Sequence, residues 1–77
     1  MKVTVESVDS YASQPIRVKK VIFENKKITF VFMDDTTYSF SRDYITTIAI
    51  NNDVISIETI TDTACDILFK GLHIRKK

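Results

Sequence analysis

Apolar and polar residues alternate along most of this chain with the two-residue period of half-buried strands. Met1, Val3 and Val5 alternate with Lys2, Thr4 and Glu6, which predicts a first strand over residues 1–8. Residues 9–15 hold Asp9, Ser10, Ser13 and Pro15, the composition of a loop, and proline lacks the N–H that a central ladder position needs. The next strand is predicted over 16–23, with apolar positions Ile16 and Val18, then Val21 and Phe23. The alternation slips by one at Lys19-Lys20, as a β-bulge would make it, because one inserted residue turns every later side chain to the other face.

Polar residues 24–27 predict a turn, after which Ile28, Phe30 and Phe32 share one strand face and Tyr38 and Phe40 share another. A two-residue loop would put these aromatic sets on opposite sides of the sheet. A three-residue loop, 34–36, pairs Phe32 with Tyr38 and Phe30 with Phe40, each pair being favourable by about 0.2 to 1 kcal/mol. The odd loop is therefore expected. Residues 41–44 break the pattern as a turn or single helical turn. Residues 45–50 and 54–60 form a second hairpin about Asn52-Asp53, whose residue types tolerate the positive φ of a type I′ turn. That register sets Ile50 opposite Ile55 and Ile48 opposite Ile57, both pairs facing the core. Thr47, Ala49, Ser56 and Glu58 take the solvent face.

Residues 62–71 admit two readings. Asp62 can cap a short helix with Ala64, Ile67 and Leu68 on one face and Gly71 ending it in a left-handed conformation, or Cys65, Ile67, Phe69 and Gly71 can alternate as a strand. The helix is preferred because it gives the only glycine a structural purpose. The fold expected is one all-β domain over 1–77. It has about six short antiparallel strands in a small, partly open barrel or a curled sheet, with an optional short C-terminal helix.

Composition narrows the class further. With 44% hydrophobic and 27% charged residues the chain has enough apolar material to fold, and it has no run long enough to span a membrane. The N-terminal segment lacks the apolar stretch of a secretory signal, and one cysteine in a small domain suits a reducing compartment, so the cytoplasm is expected. Abundant isoleucine, lysine, asparagine and threonine point to AT-rich coding, as in some bacteria, phages and mobile elements. Charge is uneven: net +3 over residues 1–33, −6 over 34–69 and +4 over 70–77. Basic and acidic faces are the natural consequence.

Catalytic chemistry finds little to work with. Phosphate-cradling loops need several glycines, and a zinc site needs three or four suitable ligands, whereas Gly71, Cys65 and His73 are each the only residue of their type. No cofactor, metal or small-molecule substrate is expected. Cys65 and His73 read as a structural cysteine and a surface histidine, and Asp34-Asp35 as a turn. Two binding surfaces remain. Arg17, Lys19, Lys20, Lys26 and Lys27 form a basic patch on one predicted hairpin, which suits a nucleic-acid backbone. Tyr11, Val31, Met33 and Tyr44 are large side chains that periodicity leaves outside the core, and such residues concentrate at protein interfaces. The second pattern favours a non-enzymatic binding module, an inhibitor or adaptor whose partner is another protein or a second copy of itself; a small-barrel nucleic-acid binder is the alternative.

Overall fold

The computed structural model describes residues 1–7 and 14–74. Seven strands and one helix follow in order: β1 Lys2–Ser7, β2 Ile16–Arg17, β3 Lys20–Phe23, β4 Lys27–Val31, β5 Thr37–Ser41, β6 Ile45–Asn51, β7 Val54–Thr59 and α1 Asp62–Gly71. A single 3₁₀ turn, Arg42–Tyr44, joins β5 to β6. The strands form two sheets, β2-β1-β7-β6 and β3-β4-β5. They curl about a common core without closing into a barrel.

The slip at Lys19-Lys20 is a change of sheet and not a bulge. The Val18 N–H donates to the Met1 carbonyl in the first sheet at 2.9 Å, and the Lys19 N–H donates to the Val31 carbonyl in the second at 2.8 Å. One strand expected over 16–23 is therefore two. A bulge and a crossing between sheets both displace the side-chain period by one residue, so periodicity alone does not separate them.

The β4–β5 loop has the expected three residues but sits one position earlier, at 33–35. Phe32 N–H donates to Thr36 O at 2.8 Å and Asp35 N–H to Phe32 O at 3.0 Å, while Asp35 lies at φ 70°. The expected loop would have placed β-branched Thr36 in that left-handed position, where aspartate is the better tolerated. Phe30 consequently faces Tyr38 and Ile28 faces Phe40. Phe30 is fully buried, whereas Phe32 is half-buried with its ring 5.5 Å from that of His73.

In the second hairpin the pairings Ile50–Ile55 and Ile48–Ile57 occur as expected. Asn52 has φ 56° and Asp53 has no positive φ, so the turn is not type I′. Ile55 and Ile57 enter the core; Ile50, on the outermost strand beside the turn, is 62% exposed. An edge strand has a neighbour on one side only, so facing inward does not guarantee cover. The pairing of β1 with β7 is parallel, Val3 beside Ile55 and Val5 beside Ile57. It departs from the all-antiparallel expectation because it joins opposite ends of the chain, which hairpin reasoning does not reach.

Residues 62–71 are helical. Thr61, not Asp62, is the N-cap, its hydroxyl accepting from the Ala64 N–H at 3.1 Å. At the other end His73 N–H bonds Lys70 O and Ile74 N–H bonds Phe69 O, with His73 at φ 59°. That pair of bonds is a Schellman closure with His73 in the position usually given to glycine. Gly71 remains helical and serves another purpose: a Cβ on it would fall 2.1 Å from Cζ of Tyr38. The helix packs on β1 and β7, and only its last residue meets the Tyr38 ring of β5; Ala64, Cys65, Leu68 and Phe69, with Leu72 at its C-cap, enter the core with Val3, Val5, Ile55, Ile57, Ile28 and Phe30.

Two stability measurements test this packing. Gly71→Ala should destabilise the protein by about 1 to 3 kcal/mol through overpacking, although alanine alone would favour a helix by up to about 1 kcal/mol. In a Tyr38→Ala background the loss should shrink by at least about 0.5 kcal/mol in denaturant titration; an unchanged loss would remove the Gly71–Tyr38 contact as its cause. Phe30→Ala should cost about 3 to 5 kcal/mol and Phe32→Ala distinctly less, an ordering that inverted strand faces would reverse.

Candidate functional site

The sequence-predicted interface residues do not form one site. Tyr11 lies outside the described residues. Val31 does point to the back of β4, yet it is only 8% exposed, because it sits in the central strand between Lys20 and Thr37. The aliphatic stem of a lysine covers a small apolar neighbour on a sheet face. Met33, at the tip of the β4–β5 loop, is 60% exposed, and Tyr44, after the far end of β5, is 48% exposed. The length of the hairpin, about 14 Å at the rise of an antiparallel strand, separates them.

The basic patch is divided in the same way. Lys20 stands beside Val31 near the Met33 end, whereas Lys26 and Lys27 lie at the opposite turn. There the Arg42 guanidinium donates to Glu24 O at 2.9 Å, and Arg42 N–H donates to Lys26 O at 3.0 Å. Arg17 on β2 pairs across the first sheet with Lys2. Lys19 contacts Asp35 at 2.5 Å, both side chains being exposed. Such a surface pair contributes about 0 to 1 kcal/mol but cancels one of the five charges locally.

Arg17 and Met33 stand between two shallow depressions. One, of about 290 Å³, is bordered by Lys2, Lys19 and Asp53; the other, of about 360 Å³, is bordered by Phe32, Asp34 and His73. Neither gathers a nucleophile with a base. Cys65 is fully buried in α1, and His73 lies eight residues further along, about 12 Å at the helical rise. The two carboxylates at the loop tip have separate structural tasks. Asp34 Oδ1 accepts from the Thr36 hydroxyl at 2.6 Å and the Thr36 N–H at 3.1 Å, and Asp35 meets Lys19. The Thr36 hydroxyl, with its N–H next, holds the Asp34 carboxyl below its ordinary value. Among the described residues no three His, Cys, Asp or Glu side chains are grouped to hold a metal, and no helix is long and apolar enough to cross a membrane.

Apolar surface gathers instead at the Tyr44 end. Phe23, Ile28 and Phe40 form one cross-strand row on the inner face of the second sheet. Ile28 and Phe40 are buried, but Phe23, on the edge strand, is 41% exposed. The Tyr44 ring lies 5.9 Å from that of Phe40 and continues the row. The Ile60 N–H donates to Tyr44 O at 3.0 Å, so the backbone of Ile60, whose side chain is 42% exposed, adjoins that of Tyr44. Phe23 and Ile60 were not legible as surface residues: each occupies an inward-facing or element-ending position, and only the finite width of the sheet leaves it uncovered.

No protein-family model matches the chain, and comparison with curated proteins and with solved structures found no match.

The charge state of Asp34 checks the loop geometry. Thr36→Val deletes the hydroxyl donor and should raise the Asp34 carboxyl pKa toward its ordinary value in an NMR titration. A depressed folded pKa contributes stability above the unfolded value that is lost as pH falls through the folded one, so the variant should lose a little stability at neutral pH and none in strong acid. An unmoved titration would show that Thr36 is not the donor.

Proposed function

We propose that this chain is a non-enzymatic binding module that docks on another protein through the strip formed by Phe23, Tyr44 and Ile60, and acts as an inhibitor or adaptor. The observation that carries the reading is exposed apolar material at one end of the second sheet: Tyr44 and Ile60 are joined by a backbone hydrogen bond, and Phe23 stands at the same end on the opposite edge, beyond buried Ile28 and Phe40, each of the three being around two-fifths to one-half exposed. The row from Phe23 through Phe40 to Tyr44 spans three strands and more, about 15 Å at ordinary strand spacing. Large apolar and aromatic side chains supply most of the energy of protein interfaces when they enter a partner's pockets. A domain this small offers a partner little beyond such a surface, and occupying the partner's own site is its natural mode of action. A buried lone cysteine suits the reducing conditions of the cytoplasm.

The nucleic-acid alternative draws less support. Its five basic residues are divided between β2, which holds Arg17, and the two ends of the β3–β4 hairpin, Lys19 is already paired, and Phe30 and Phe40 are buried where they cannot stack on bases.

One experiment separates the two. Tyr44→Ala with Ile60→Ser should leave the circular dichroism spectrum intact while abolishing recovery of a protein partner from native lysate. Generic DNA and RNA oligonucleotides should bind more weakly than about 10 μM by fluorescence anisotropy at near-physiological salt. Submicromolar oligonucleotide binding lost on Lys19→Glu with Lys20→Glu would transfer the function to the basic residues.

A further inference from the structure

The two sheets have four edges, and they are guarded unequally. An open edge presents unpaired backbone N–H and C=O groups, and proteins usually blunt it with short strands, prolines or charges. β2 has two residues next to Pro15 and includes Arg17. β3 carries Lys20 and is flanked by Lys19 and Glu24. β5 has five residues, with Asp34 and Asp35 before it and Arg42 and Asp43 after it. β6 is different: it has seven residues, and it lies within 44–52, the longest run in the sequence without a charged residue. Among the described residues no strand pairs with its outer edge. Ile50, the most exposed large apolar side chain among the described residues, sits on it.

The ladder fixes which groups point outward. The hairpin turns over two residues, and β6 and β7 are in register from Thr47–Glu58 to Asn51–Val54, with the irregularity confined to Ile45–Thr47. In a two-residue hairpin the closing pair, Asn51 with Val54, is hydrogen-bonded, and antiparallel pairs then alternate. Asn51, Ala49 and Thr47 therefore turn their backbone groups toward β7. Ile48 and Ile50 turn theirs to the open edge.

We propose that β6 pairs antiparallel with β6 of a second copy of this chain, about a two-fold axis at Ala49, joining the two four-stranded sheets into one of eight strands. This names a second copy as one partner of the binding module proposed above, through the backbone edge of β6, which adjoins Tyr44 at one end, and not through the side chains of the Tyr44 strip. In that register Ile48 of each copy faces Ile50 of the other, and both are the residues whose backbone groups point outward. Thr47 faces Asn51, and Ala49 faces itself.

Charge selects the occupant. A two-fold axis brings a strand against itself, so charges near the axis meet their like, and among the longer edges only β6 lies within a run this long without any. Further out the same register is complementary. The Asn52-Asp53 turn of one copy falls opposite Ile45 and Thr46 of the other, at a depression of about 260 Å³ lined by Arg42, Ile45, Thr46 and Ile48. Asp53, whose carboxylate lies 3.7 Å from the Met1 ammonium, thus falls at the end of the partner strand that carries Arg42, whose guanidinium donates to the Glu24 carbonyl, and the same approach recurs at both ends of the paired strands, an isologous arrangement.

Sedimentation and cysteine cross-linking test the proposal on the full chain. The protein should sediment as a dimer. At a non-hydrogen-bonded pair the facing Cα atoms lie about 4.5 Å apart, within disulfide reach, so Ala49→Cys should cross-link to itself under mild oxidation. Thr47→Cys should not, since the two copies of that position are four residues apart along the strands. The native Cys65 is buried and does not compete. Ile50→Lys should weaken the dimer by about tenfold or more while circular dichroism shows an intact fold. Tyr44→Ala with Ile60→Ser should leave the dimer in place, so loss of the docking strip and loss of strand pairing are told apart. A monomer at every concentration, a dimer in which Ala49→Cys fails to cross-link, equal cross-linking of Thr47→Cys, or a dimer indifferent to Ile50→Lys would each overturn it.

Discussion

The packing of α1 on β1 and β7, with its last residue Gly71 set against the ring of Tyr38 from the other sheet, holds the two sheets to one core. The helix adds four buried side chains, Ala64, Cys65, Leu68 and Phe69, and its C-cap Leu72 a fifth, to the one core that both sheets share. It can lie that low only where position 71 has no Cβ, since any other residue would overlap the tyrosine ring. The helix is then fastened at both ends. Thr61 caps its start, the Ser7 hydroxyl donates to Asp62, and the Thr59 hydroxyl, fully buried, reaches the carbonyls of Glu6 and Thr61 at 3.2 and 3.1 Å. These bonds tie β1, β7 and the helix entry together, so the parallel pair at the centre of the first sheet and the helix above it form one unit.

That arrangement also decides what is left uncovered. One ten-residue helix is about 15 Å long at the helical rise, and its packing is concentrated on β1 and β7 of the first sheet. Phe23, Tyr44 and Ile60 lie where this cover stops. β6 is left bare for a related reason: it is the last strand of its sheet, with β7 on one side and no described strand on the other. The two proposed contacts thus occupy the places where a small core runs out of its own material. For a domain of this size incomplete cover is the ordinary condition. What singles out these two places is the chemistry exposed there, aromatic and apolar at one and uncharged backbone edge at the other.

The acidic and basic blocks of the sequence are dispersed by folding more than they are gathered. Lys19 finds Asp35, Arg42 turns to the Glu24 carbonyl, and Asp34 is absorbed in its own turn. Charges close in sequence became separated because a hairpin sends its two turns to opposite ends. The outer face of the first sheet does keep Lys2 and Arg17 at one end and Glu6 beside Glu58 at the other. Its polarity follows the strands and not the blocks.

Local chemistry sufficed for much of the fold. Alternation identified the strands, the odd loop after Phe32, the Ile50–Ile55 register and the exposed face of Thr47 and Ala49, since these depend on residues a few positions apart. At 62–71 alternation fits a strand, and the ground for preferring the helix, a left-handed Gly71, is not what the structure shows, since Gly71 is helical. The shift of the loop by one residue was in principle legible, because aspartate accepts a left-handed position more readily than threonine. Tertiary structure alone decided the division into two sheets at Val18-Lys19, the parallel union of β1 with β7 and the reason for Gly71, each of which joins segments far apart in the chain. It likewise decided which inward-facing residues are covered. A period of two tells which way a side chain points, but whether anything lies above it depends on where the neighbouring elements end.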